Sequence, residues 1–197
     1  MPRDQRTITP SDIMPLGDYE VIRKDKRQES ILRKKYTRLS VGPHATISFE
    51  SWDSMWLQVQ EMLRVERGGD EQLADELAAY NPMIPNGREL TATLMFEIED
   101  AVRRDAFLRT IGGVEAHIFL TVGAHRIAAV PEQDVERTSA AGKASAVHFL
   151  HFPMNDAELA DFRDMGVQAM IQIDHPNYGH AAIFNRDTRD FLIRNCL

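Results

Sequence analysis

The sequence has almost no cysteine: Cys196, next to last, is the only one, so a single chain can form neither an internal disulfide nor a cysteine-built metal cluster. That usage fits a reducing cytoplasm. Long apolar runs are also missing. Nowhere do roughly 18 apolar residues follow one another, and Met1-Pro-Arg-Asp-Gln-Arg6 leads into no apolar core of signal-peptide length, so a cytoplasmic chain without a membrane span is expected. There is no Gly-x-x-x-x-Gly-Lys loop, no Gly-x-Gly-x-x-Gly, no His-Glu-x-x-His and no Gly-x-Ser-x-Gly, which removes support for the common nucleotide and hydrolase sites. Gly142-Lys-Ala-Ser145 resembles the end of a phosphate loop but lacks the earlier glycine and the preceding strand. Positive charge is scarce over most of the chain. The net charge is −7; residues 1–40 carry ten Lys and Arg against six Asp and Glu, and the remainder thirteen against twenty-four. An acidic body argues against a protein whose main surface holds nucleic acid, whereas the basic first segment suits nucleic acid or an acidic partner, with a solvated face as the alternative.

What is present is a pattern that returns. Leu94-Met-Phe-Glu-Ile-Glu-Asp-Ala101 is echoed by Leu150-His-Phe-Pro-Met-Asn-Asp-Ala157, with four of eight positions identical, and Gly113-Val-Glu-Ala-His-Ile118 by Gly166-Val-Gln-Ala-Met-Ile171. Each copy reads as strand, helix, strand, turn, strand, a unit that cannot cover its own apolar sheet face alone. The expected fold class is therefore α+β: one antiparallel sheet from a duplicated βαββ module, preceded by a helical hairpin and a basic helical arm.

Five segments follow. Residues 1–44 form an N-terminal arm whose run from Asp18 to about Arg38, free of Pro and Gly, predicts a long, mostly solvated helix with the basic cluster Arg33-Lys34-Lys35 and Arg38. Residues 45–88 hold a short strand, with Ala45, Ile47 and Phe49 alternating with Thr46, Ser48 and Glu50, and then a helical hairpin. Ser51 caps its first helix, where Trp52, Met55, Trp56, Val59, Met62 and Leu63 form a wide apolar stripe suited to core packing, with a ligand pocket as the functional alternative. Gly68-Gly69 stops that helix and Asp70 caps the next. The first unit spans 89–131 and contains predicted strands over 89–99 and 114–122. Residues 131–145 are a linker. The second unit spans 146–184, its helix capped by Asn155 with Glu158 three residues on and closed by Gly166. A short helix over 185–197, carrying Phe191 and Leu192, ends the chain.

Candidate chemistry follows from the alternation. Leu94, Phe96, Leu150 and Phe152 are expected to face the module's helices, which turns Met95, Glu97 and His151 to the other face together with Glu115, His117, Phe119 and Met170 of the second strands. Carboxylates, imidazoles, Met and Phe on one face suit a ligand groove, with Met95, Phe119 and Met170 as apolar contacts. Glu97, Glu115, His117 and His151 offer oxygen and nitrogen ligands to Fe, Mn or Zn, and Glu61 joins them if its helix crosses the sheet; the alternative is that they are solvated or satisfied by neighbouring Arg and Thr. Asp174-His-Pro-Asn-Tyr178 with His180 reads either as a second polar cluster or as turn chemistry.

The segments Gly42-Pro-His44, Gln60-Glu-Met-Leu-Arg64, Glu76-Leu-Ala-Ala-Tyr-Asn81, Ile84-Pro85, Glu89-Leu-Thr-Ala-Thr93 and Asp174-His-Pro176 resemble an uncharacterised bacterial family of about this length, a domain of unknown function. That resemblance covers nearly the whole chain. It implies genes near rubrerythrin and a heterodisulfide-reductase-like iron–sulfur protein, hence a peroxide or redox setting, and it carries no catalytic residues. In element order the paired units also resemble gyrase-inhibitor-like and SOUL haem-binding proteins, which implies a small-molecule groove along a pseudo-two-fold axis. Three functions are compatible with the sequence: an accessory protein binding a metal or small molecule in a redox setting, with a redox protein as partner; a metal-dependent enzyme using the Glu and His face; and an interaction module docking through its basic arm. Exposed strand edges are compatible with a homodimer.

Overall fold

The computed structural model describes residues 5–132, 138 and 142–197. The chain runs α1 (Leu16–Thr37), β1 (Arg38–Val41), β2 (Ala45–Phe49), α2 (Trp52–Glu66), α3 (Gly69–Tyr80), β3 (Glu89–Phe96), α4 (Ala101–Thr110), β4 (Ile118–Val122), β5 (His125–Ala128), β6 (Val130–Pro131), β7 (Val147–Pro153), α5 (Asp156–Arg163), β8 (Ala169–His175), β9 (Tyr178–Ile183) and α6 (Arg186–Asn195). It is an α+β protein, as the alternation and capping signals predict. Among the described residues no helix is long and apolar enough to cross a membrane.

The strands make two antiparallel sheets in place of the single one expected. Sheet A has the order β1-β2-β3-β7-β6 and sheet B the order β5-β4-β8-β9. The leading strands β3 and β7 pair with each other in sheet A, and β4 pairs with β8 in sheet B. Ile47, Leu90, Leu94, Leu150 and Phe152 of sheet A join Ile118, Leu120, Ile171 and Ile173 of sheet B in one buried cluster. The leading strands thus face the opposite sheet, not the helices of their own units. The reason is the narrowness of those helices: α4 buries only Leu108, and α5 only Leu159 and Phe162. Such stripes cannot cover a sheet face, whereas a second apolar sheet can. Where the two units meet, Ala92 lies opposite Leu150, and both are buried in the packed core.

A second apolar cluster lies on the outer face of sheet A. The hairpin α2–α3 supplies Trp52, Met55, Trp56, Val59 and Leu77, α1 supplies Tyr19, and Phe149 of β7 packs against them. Both tryptophans are buried in this cluster and stack on each other while their indole N–H groups donate to the carbonyls of Thr7 (3.2 Å) and Asp12 (2.8 Å), and both also line a cavity of about 150 Å³ beside α1. The basic helix is no free arm. Tyr19 is fully buried, its hydroxyl donates to Glu61 (2.6 Å), and the Arg23 guanidinium makes two hydrogen bonds to the same carboxylate (2.7 and 2.9 Å).

Local departures have local causes. Arg38–Val41 is a strand paired with β2, because the turn at Gly42 folds it back into register. Residues 114–117 form a 3-10 turn entered at Gly113 (φ 79°), which takes Glu115 and His117 off the strand that begins at Ile118. The helix over 52–66 ends with Arg67 itself in the left-handed conformation, and α3 is preceded by Gly68 instead of an Asp70 cap. The Asn155–Glu158 capping box forms as expected, but α5 stops at Arg163, before Gly166. The carbonyls around its end are gathered by buried Arg189, whose guanidinium donates to Asp161, Phe162, Asp164 and Val167. Most of the expected linker, residues 133–137 and 139–141, lies outside the described residues.

Candidate functional site

The residues expected to share one face are divided between two. Outward positions of sheet A carry Met95 and His151, and those of sheet B carry Phe119 and Met170, so a packed core separates the two sets. Each candidate metal ligand has partners of its own. Glu97 takes hydrogen bonds from Thr46 and Arg38, the former being the stronger influence, and both lower its pKa against a smaller opposing effect of burial. Glu115 accepts from the Thr138 hydroxyl (3.1 Å). His117 Nδ1 lies 3.1 Å from Asp174, whose other oxygen pairs with Arg126. His151 sits between Glu89 (3.1 Å) and Glu132 (2.9 Å); these carboxylates, Glu89 foremost, hold its pKa above the ordinary value although burial opposes them. Glu61 is engaged by Arg23 and Tyr19, and the Arg23 hydrogen bond contributes most to holding its carboxyl down at about 2. Among the described residues no three His, Cys, Asp or Glu side chains gather as a metal ion requires.

The cluster around Asp174 and His180 is turn and packing chemistry. The Tyr178 hydroxyl accepts from the main-chain N–H groups of His44 (3.0 Å) and Ala45 (2.9 Å) and donates to the carbonyl of Val41 (2.7 Å), tying the β8–β9 hairpin to the β1–β2 turn. Gly42, at φ 76°, sits so close to the His180 ring that a Cβ there would collide with it. Two of the segments that carry the family resemblance, Gly42-Pro-His44 and Asp174-His-Pro176, therefore belong to one structural joint. Cys196 is equally structural. Its thiol is buried, donates to the carbonyl of Glu50 (3.3 Å), and is pushed up to about 12 by burial, which leaves no thiolate for redox chemistry near neutral pH.

The opening with chemical promise lies between α1, α2 and the outer face of sheet A. It is a groove of about 490 Å³, within the size range of small-molecule sites. Its rim is cationic, with Arg27, Arg33, Lys34 and Arg38 along α1 and the start of β1. Arg33 faces Asp53 at 3.6 Å and Arg38 pairs with Glu97, while Arg27 and Lys34 hold no ion pair among the described residues. Ile31, Met55, Leu57 and Phe149 supply apolar wall, and Met95 is the one expected apolar contact that reaches it.

At the groove's floor is Glu50, which the alternation of β2 places on the strand's polar side. Its carboxylate is almost completely buried, with Oε2 2.7 Å from Ser54 Oγ and Oε1 2.7 Å from Thr93 Oγ1. Burial pushes its pKa upward against the opposing pull of Ser54, Thr93 and Lys34. Sequence reasoning passes over this residue. A retrospective signal exists in Glu50-Ser51 followed by Ser54: polar side chains cluster where the helix that covers the sheet begins.

No curated protein matches the chain. A crystal structure of a novel protein of unknown function from Burkholderia pseudomallei K96243 is similar to it, at 35% sequence identity and a TM-score of 0.87, covering 95% of this chain and 97% of that one. A family model described as protein of unknown function (DUF3501) matches residues 7–196, and the chain belongs to that family.

Proposed function

We propose that the protein binds a small organic anion in the groove between α1, α2 and sheet A. The observation that carries this reading is the lining: two cations without ion-pair partners among the described residues, Arg27 and Lys34, beside an apolar wall in a groove of about 490 Å³. A cation pair beside apolar surface suits a ligand with an apolar body and a carboxylate, sulfonate or phosphate group. A redox setting rests on the family resemblance, not on the groove. The reading makes the protein a binding or accessory component and assigns no reaction to it.

Fluorescence titration with anilinonaphthalene sulfonate, competed by hexanoate and by inorganic sulfate, tests it. The wild type is expected to bind one equivalent, and Lys34→Gln and Arg27→Gln are each expected to weaken binding about fivefold, as for a partly screened charge contact. Binding that neither substitution weakens removes the groove as the site.

A further inference from the structure

Ser54 is one of two hydroxyls, with Thr93, that contact the buried carboxyl of Glu50, which holds no ion pair among the described residues. The Ser54 Oγ accepts from the Ser51 N–H (2.8 Å) and lies 3.0 Å from the Ser51 carbonyl oxygen and 2.7 Å from Glu50 Oε2. A hydroxyl has a single hydrogen to donate. The Ser51 carbonyl already accepts the helical N–H of Met55 (3.1 Å), so the hydrogen bonds can be met with Glu50 neutral or ionised; what an ionised Glu50 lacks is a paired cation to offset its loss of water. A proton on Oε2 removes that cost: Glu50 donates to Ser54, Ser54 donates to the Ser51 carbonyl, and Thr93 still donates to Oε1. Every polar atom of the cluster is then satisfied, in keeping with the burial of the carboxyl.

We propose that Glu50 stands in the groove as a neutral carboxylic acid and makes anion binding proton-linked, admitting the ligand's acidic group while it carries its proton and expelling it on ionisation. The proposal rests on the organic-anion reading of the groove and adds the residue that selects for charge. An ionised Glu50 would offset the field of Lys34, the cation whose charge reaches this carboxyl. The other charged groups that line the groove are Arg27 and Arg33 of α1, Arg38 of β1 and Glu61 of α2, with Asp53 and Glu97 beside them as the partners of Arg33 and Arg38. Arg38 is paired with Glu97 and Glu61 with Arg23. Among the described residues no histidine lines the groove, and the other carboxyl in its lining, Glu61, is held low by Arg23, so Glu50 is the acid there that burial moves upward.

The experiment is the affinity of anilinonaphthalene sulfonate, whose sulfonate stays ionised throughout, measured from about pH 5 to 9 on the wild type and on Glu50→Gln. Glutamine preserves the geometry, since its amide N–H donates to Ser54 and its oxygen accepts from Thr93. Wild-type affinity is expected to fall with rising pH by up to about tenfold per unit above the Glu50 pKa. The variant is expected to stay flat at the wild type's low-pH level. A flat wild type, or a variant with the wild-type slope, overturns the proposal while leaving the groove as a binding site. No probe binding at any pH removes the groove reading and this one with it. Should the variant not fold, carboxyl carbon NMR of wild-type Glu50 decides: by reciprocity the probe must move its titration midpoint upward, and an unmoved midpoint overturns the linkage.

Discussion

Sheets A and B present outward positions of similar sequence character and treat them in opposite ways. Sheet A turns out Phe149, Met95, Thr93 and Thr91, and α1, α2 and α3 cover much of that face. Sheet B turns out Phe119 and Met170, with Arg126, Ala128, Ala181 and Ile183 left exposed. There the Arg126 guanidinium lies over Phe119, 3.7 Å from its ring centroid, and pairs with Asp174. An outward aromatic therefore does not itself decide whether a face is built over. The decision belongs to an amphipathic helix elsewhere in the chain, and α2 with its two tryptophans can satisfy only one sheet.

The comparison can be tested at decreasing scale. Trp56→Ala removes a large side chain from the cover of sheet A and is expected to cost about 3–5 kcal/mol in urea unfolding. Phe119→Ala on sheet B, where the ring is half-buried beneath the Arg126 guanidinium, is expected to cost about 1 kcal/mol; equal losses would mean that sheet B is as fully covered as sheet A. Acid comes next. Glu61 fastens α1 to α2 with its pKa depressed from about 4.5 to about 2, chiefly by Arg23, so its contribution is present above about pH 4.5 and is lost as pH falls toward 2. Urea midpoints at pH 7, 4 and 3 should fall in the wild type, and Glu61→Gln should flatten part of that fall. A variant as acid-sensitive as the wild type would place the acid-labile link elsewhere.

A smaller effect of opposite sign is expected at the β6 edge of sheet A. His151 has its pKa raised by Glu89 and Glu132, so its contribution is complete below its ordinary value of 6.5 and is lost as pH rises through the raised one. His151→Gln should remove that decline, read as thermal midpoints between pH 6 and 9. The smallest effect belongs to Arg126→Gln. It is expected to leave probe affinity unchanged, in contrast to the fivefold loss for Lys34→Gln, because Arg126 is not part of the lining of the proposed groove. A matching loss would move the anion site across the molecule.

Much of the architecture was legible because short-range chemistry specifies it. Ser51 and Asn155 cap helices by accepting from their own first turns, and the alternation through Leu90, Leu94 and Phe96 has one apolar partner face whichever element provides it. The strand Arg38–Val41 was not legible, since β2 completes a hairpin that four residues do not announce. Nor was the short turn that takes Glu115 and His117 off their strand. The expected site failed to gather for a topological reason: alternation says which residues share a side of one strand, but not whether two strands share a sheet.

The sequence by itself determined the α+β class, the capped helices, the tryptophan stripe that must be buried and the basic character of the first helix, because each depends on neighbours within a few turns of chain. Tertiary structure alone decided that the strands divide into two sheets, that the expected ligands lie apart, and that Glu50, polar in its own strand, ends almost dry beneath a cationic rim. Burial is a property of what lands on a residue, and what lands on Glu50 are helices contributed from both sides of its position in the chain.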